Sequence, residues 1–127
     1  MGMEHVVQFP AGTVPLLSQL IEVVAEHNFP VQVRMVDGEL TLPDEVPSEG
    51  WTEIRLGTPA GMVTLVRRGQ ELAVVTWGNA DMSTQRAWNA VAWAAAKAGE
   101  GRIVRPGRLL SADEFRASVL MPEIMEQ

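Results

Sequence analysis

Between residues 31 and 77 the chain repeats one pattern: a short apolar run followed by a turn. The sharpest instance is residues 31–36, then Asp37-Gly38, then residues 39–42. Asp-Gly between two such runs fits a two-residue type I′ turn, which needs positive φ at both central positions. That turn sets Met35 opposite Leu40 and Val33 opposite Leu42, and strand alternation then puts all four on one face. Gln32, Arg34, Glu39 and Thr41 fall on the other face. Residues 51–56 alternate again, with Thr52, Ile54 and Leu56 against Trp51, Glu53 and Arg55. Pro59 with Gly57 and Gly61 makes a turn, and residues 62–67 and 72–77 read as strands joined around Gly69-Gln70. That last pair is apolar on both faces, which predicts a sheet covered on both sides there. Residues 43–50 form an acidic, proline-bearing loop.

Helical periodicity flanks this meander. Val14, Leu17, Leu20, Ile21 and Val24 recur at helical spacing, with Thr13 placed as N-cap and Pro15 in the first turn. Asn28 suits a left-handed cap and Pro30 forbids continuation, so a helix is expected over 13–27. A second helix is expected over 81–98, capped by Asn79 or Asp81 and ended by Gly99 and Gly101. Residues 99–108 read as a Gly- and Arg-rich connector. Ser111-Ala112-Asp113-Glu114 is a capping box for a short third helix, with Leu110 and Phe115 spaced as a hydrophobic staple and Pro122 as its stop. Residues 5–9 form a further apolar run, ended by Pro10 and Gly12. The expected fold is therefore one α+β domain over residues 1–127, with its last few residues frayed. It holds an antiparallel meander of about five strands, extended to six if the N-terminal strand joins, packed by two main helices and a short C-terminal one. Such an order carries no function by itself.

Length and composition narrow the functional classes. At 127 residues and 46% hydrophobic, the chain can bury a core without a metal or a disulfide. It has no Cys and only two His, which removes thiolate metal sites and Cys nucleophiles and leaves little for a metal centre, so no cofactor is expected. Net charge is −6, unevenly placed: residues 1–50 hold eight acids and one base, residues 51–127 eight acids and nine bases. That field argues against nucleic acid and against anionic membrane as partners. The N-terminus has neither a basic start nor an apolar run before a cleavage site, and no stretch is long enough for a membrane span, so the cytoplasm is the expected compartment.

The residues that could carry function form three groups. At 100° per residue, the second helix puts Trp88, Val91, Ala92 and Ala95 on one stripe facing the sheet. Trp93 falls on another stripe, with Gln85, Arg86, Asn89 and Lys97, beside a smooth stripe of Ala87, Ala90 and Ala94. A bland reading tucks Trp93 under the loop after Gly99 with Arg86 stacked on it. The sharper one makes Trp93, Asn89, Arg86, Ala90, Ala94 and Lys97 a contact surface, since Trp anchors interfaces and Ala lets backbones approach. Arg102, Arg105 and Arg108 recur every third residue, and with Arg67 and Arg68 they could hold an anion through planar guanidinium forks; the alternative is surface ion pairing. His5 or His27 could serve as a catalytic base, and His5 with a carboxylate could form an acid/base pair between sheet and helix. No nucleophile elbow and no phosphate loop with its Lys-Ser/Thr is present. The leading expectation is a non-enzymatic protein-interaction module that self-associates as a homodimer, or binds another protein. The alternatives are a binding domain for a small anionic ligand and a small acid/base enzyme.

Overall fold

Asp37 and Gly38 take φ of 50° and 85°, as the primed turn demands. They join β2 (Gln32–Val36) to β3 (Glu39–Leu40) in a computed structural model of the chain that describes residues 2–10, 12, 14–42, 47 and 50–126. The carboxylate of Asp37 also accepts from the backbone N–H groups of Thr52 and Glu53, at 2.9 and 2.8 Å, which ties the turn to the next strand. Met35 lies opposite Leu40 as expected. Val33, however, pairs with Leu56 while Met35 pairs with Arg55, with an irregularity between them. That extra residue turns Val33 toward the core and Met35 away from it, so the predicted four-residue apolar face is split.

The remaining strands are β1 (Gly2–Gln8), β4 (Glu53–Gly57), β5 (Met62–Arg68), β6 (Glu71–Trp77), β7 (Arg102–Arg105) and β8 (Arg108–Leu110). The helices are α1 (Leu17–Ala25), α2 (Met82–Gly99) and α3 (Ala112–Ser118), followed by a 3-10 turn at Glu123–Glu126. All strands join one antiparallel sheet in the order β3-β2-β4-β5-β6-β1-β7-β8. The α+β class and the N-terminal strand's membership agree with the sequence reading, but the sheet has eight strands rather than five or six. Two of the additional strands come from residues 102–110, most of which were expected as a connector. Its Arg, Gly and Pro content hides a hairpin around Pro106-Gly107, in which Gly107 takes φ of 77° and Ile103 pairs with Leu110. Both of those side chains are buried.

Helix α1 begins four residues later than expected, with Gln19 Oε1 accepting from the Leu16 N–H at 2.9 Å. The expected cap, Thr13, and most of the acidic loop (residues 43–46, 48 and 49) lie outside the described residues. At the other end Asn28 takes the left-handed conformation, φ 62°. Asp81 caps α2 by accepting from Thr84 N at 2.8 Å, and Ser111 and Glu114 form the reciprocal box at α3. At the end of α2 it is Glu100, not a glycine, that takes the left-handed conformation, φ 52°, and glycine at 99 and 101 is required by packing instead. A Cβ at Gly99 would come within 2.6 Å of the Phe9 ring, and one at Gly101 within 2.9 Å of the Gln8 carbonyl.

The core lies between one face of the sheet and the helices. Phe115, Leu20, Ile54, Leu56, Leu65, Leu72 and Ile103 are among its fully buried side chains. Each such side chain contributes roughly 1.5–3 kcal/mol of transfer free energy. Helix α2 crosses β5, β6, β1 and β7; α1 packs along α2, and α3 sits by β7 and β8. No described element packs on the opposite face, so the cover expected on both sides of β5 and β6 is present on one side only. No described helix is long and apolar enough to cross a membrane.

Candidate functional site

The stripe of α2 expected to meet another chain lies inside the domain. Trp93 is 3% exposed, and Ala90 and Ala94 are fully buried. His27, just past α1, meets the Trp93 ring edge-on at 5.1 Å, and the Arg116 guanidinium of α3 lies over it at 4.6 Å. Arg86 donates to the Met121 carbonyl and Asn89 to the Leu120 carbonyl. Of the six residues predicted as a contact surface, only Lys97 is exposed. The physical reason is that α2 is covered on both flanks. Arg86 and Asn89, two of the polar side chains grouped with Trp93, serve the chain's own C-terminal carbonyls rather than water. Trp88 does face the sheet, and its Nε1 donates to the Val74 carbonyl at 2.6 Å.

The five arginines do not converge. Strand alternation sends Arg102 and Arg105 to opposite faces of β7. Arg105 reaches His5, Arg108 pairs with Glu114 at 3.5 Å, and Arg68 with Glu4 at 3.1 Å. Arg67 lies over the Trp51 ring at 4.2 Å. Arg102 and Lys97 border a shallow concavity, but Glu100 and Asp113 line it too, so acids match bases there. The anion site expected from sequence is not assembled.

His5 is buried on β1 at the centre of a polar cluster. Its ring stacks on Trp88 at 3.7 Å and meets the edge of Phe115 at 4.9 Å. Nε2 lies 2.9 Å from Asn89 Oδ1, which can only accept, so Nε2 carries the proton of a neutral ring. Nδ1 then accepts from Arg105 at 3.3 Å. Burial is the main cause that pushes the His5 pKa down to about 4; the Arg105 charge lowers it further and the Asn89 bond opposes both. Both ring nitrogens are engaged by Asn89 and Arg105, and among the described residues no carboxylate bonds the ring as the acid/base reading expected. Among the described residues no cluster of His, Asp or Glu is placed to hold a metal. The His5 cluster joins β1, α2, β7 and α3 through side-chain contacts.

The feature that sequence reasoning did not place is the uncovered face. Cross-strand partners share a face, so its composition follows from the register. One row runs Met35, Arg55, Thr64, Val75, Glu4 across β2, β4, β5, β6 and β1. The next runs Glu53, Val66, Ala73, Val6. A third runs Arg68, Glu71, Gln8, Arg102. Trp77 is 68% exposed and Met62 41%. A concavity of about 510 Å³ lies over this surface, lined by Glu4, Glu53, Arg55 and Arg68 around apolar side chains that include Val66 and Trp77. Its two acids and two bases balance, on a chain whose net charge is −6. The sequence signal was the double-sided apolar character of β5 and β6, which marks a face that needs cover.

The chain matches no protein-family model, no curated protein and no solved structure.

Proposed function

We propose that this protein is a non-enzymatic interaction module that associates with a second copy of itself through the uncovered face of the sheet. The observation that carries the reading is an apolar-centred sheet face with no described element packed on it, locally neutral on an acidic chain. Val66, Val75, Met62 and Trp77 supply the apolar area, and charged side chains surround them, an arrangement of apolar centre and polar rim. Eight strands about 4.8 Å apart give a face about 34 Å wide. Its seven-residue central strands are about 23 Å long. The strands shorten toward both edges, so the face covers roughly 600 Å², the same order as the ~800 Å² per partner that stable interfaces bury. A wide, shallow surface of this kind favours a protein over a small ligand, and the dispersed arginines favour neither an anion nor nucleic acid. The cytoplasm is the compartment we assign with this reading.

The test is the solution mass of the purified chain by sedimentation equilibrium. The reading predicts twice the 13.9 kDa of one chain at tens of micromolar. Val66→Arg on the face should return it to one chain, while Glu22→Arg on α1 should not. A single-chain mass for the native sequence at hundreds of micromolar contradicts the reading.

A further inference from the structure

We infer that the two copies pack about a two-fold axis that runs along the strands at the sheet's midline, between β5 and β6. The inference rests on the reading of the uncovered face given above and adds its register. The order β3-β2-β4-β5-β6-β1-β7-β8 puts four strands on each side of that line. Rotation about it lays β5 of one copy on β6 of the other, and β4 on β1, while each residue keeps its position along the strand. Residues of one row therefore meet their own row in mirror order.

The rows are complementary to themselves in this arrangement. Arg55, Thr64, Val75 and Glu4 form a row with a base at one end and an acid at the other. Mirrored, Arg55 of one copy meets Glu4 of its partner, twice by symmetry, with Thr64 over Val75. Arg68 and Glu71 are cross-strand neighbours astride the axis, so each meets the other's counterpart. Val66 lies over the small Ala73 beside the axis, which allows close approach. Met62 and Trp77, one step further along the same register, stand sulfur against indole, a favourable contact. Within each chain Glu4 already holds Arg68 at 3.1 Å, so the contacts extend that pair into a four-charge chain from Arg55 to Glu71. Glu53 falls opposite Val6, a position where a charge meets an apolar side chain. The roughly 30° rotation of aligned sheets shifts the outer pairs along the strands and leaves those beside the axis in place. An axis across the strands instead sets Met62 against Arg68 and Glu4 against Val6, which strands charges on apolar surface.

Charge exchange tests this register. Arg55→Glu and Glu4→Arg each place like charges opposite one another at two symmetric positions, and each should weaken the dimer at least tenfold by sedimentation equilibrium. An equimolar mixture of the two variants should restore near-native affinity as a heterodimer, because every like pair becomes an opposite pair. The double variant in one chain should also restore it, and serves where a single exchange unfolds the protein, as circular dichroism reports. If Val66→Arg breaks the dimer but the mixture is no tighter than either variant alone, the register is wrong while the face stands. A native chain that stays single overturns the register and the face together.

Discussion

Asn89 and Arg105 hold the His5 ring between them, and that arrangement fixes how the fold responds to acid. The folded state keeps His5 neutral down to about pH 4, whereas an unfolded chain protonates it near 6.5. Between those values the unfolded state binds the extra proton, so stability falls as pH is lowered from about 6.5 to 4. The loss attributable to His5 is at most about 3 kcal/mol. Arg105 is the charged group on the ring, and its repulsion acts in the same direction as burial. Urea unfolding at pH 7 and pH 4.5 should show this loss in the native chain and a smaller one in His5→Gln. Equal losses in the two would contradict the account. Asp37, Asp81 and Glu114 titrate separately. Backbone N–H donors hold all three below the usual carboxylate range, so their contribution is present above it and is lost only as pH falls through their lowered values.

Among the elements, those specified by neighbours in sequence were legible and those specified by distant partners were not. The Asp37-Gly38 turn, the Asn28 and Asp81 caps and the Ser111 box each depend on a side chain within three residues of the backbone it serves, and all four stand where the sequence places them. Ser111 secures the helix that carries Phe115 onto His5 and Arg116 onto Trp93. Ser111→Ala should therefore lower the unfolding free energy by about 1 kcal/mol, the ordinary worth of such a cap. A chemical denaturation curve superposable on the native one would show that the box contributes nothing. Helix α2 shows the opposite case. Helical periodicity identified the stripe that carries Trp88 to the sheet, but it could not tell that α1 and α3 would cover the remaining stripes. Arg86 and Asn89 looked like solvent-facing residues because their acceptors, the carbonyls of Met121 and Leu120, lie more than thirty positions away in sequence. The β7–β8 hairpin escaped notice for a related reason. Ile103 and Leu110 are its only buried side chains, set among three arginines, glycine and proline, and strand pairing with β1 decides their conformation.

The whole molecule is an eight-stranded sheet whose helices lie on one side. The apolar alternation of β5 and β6 on both faces was visible in the sequence. It predicted cover on both sides, and the described residues supply it on one. Which charges share the open face was not visible, because Arg55, Glu4 and Glu71 come together only through a register that runs across strands from both ends of the chain. The most direct measurement is an isotope-filtered NMR experiment on a one-to-one mixture of labelled and unlabelled chains, which records contacts between copies and discards those within one. The account predicts an intermolecular contact between the Met62 methyl of one copy and the Trp77 indole of the other. Intermolecular contacts confined to the outer surfaces of α1 or α3, with none from Met62, Val66 or Trp77, would contradict it.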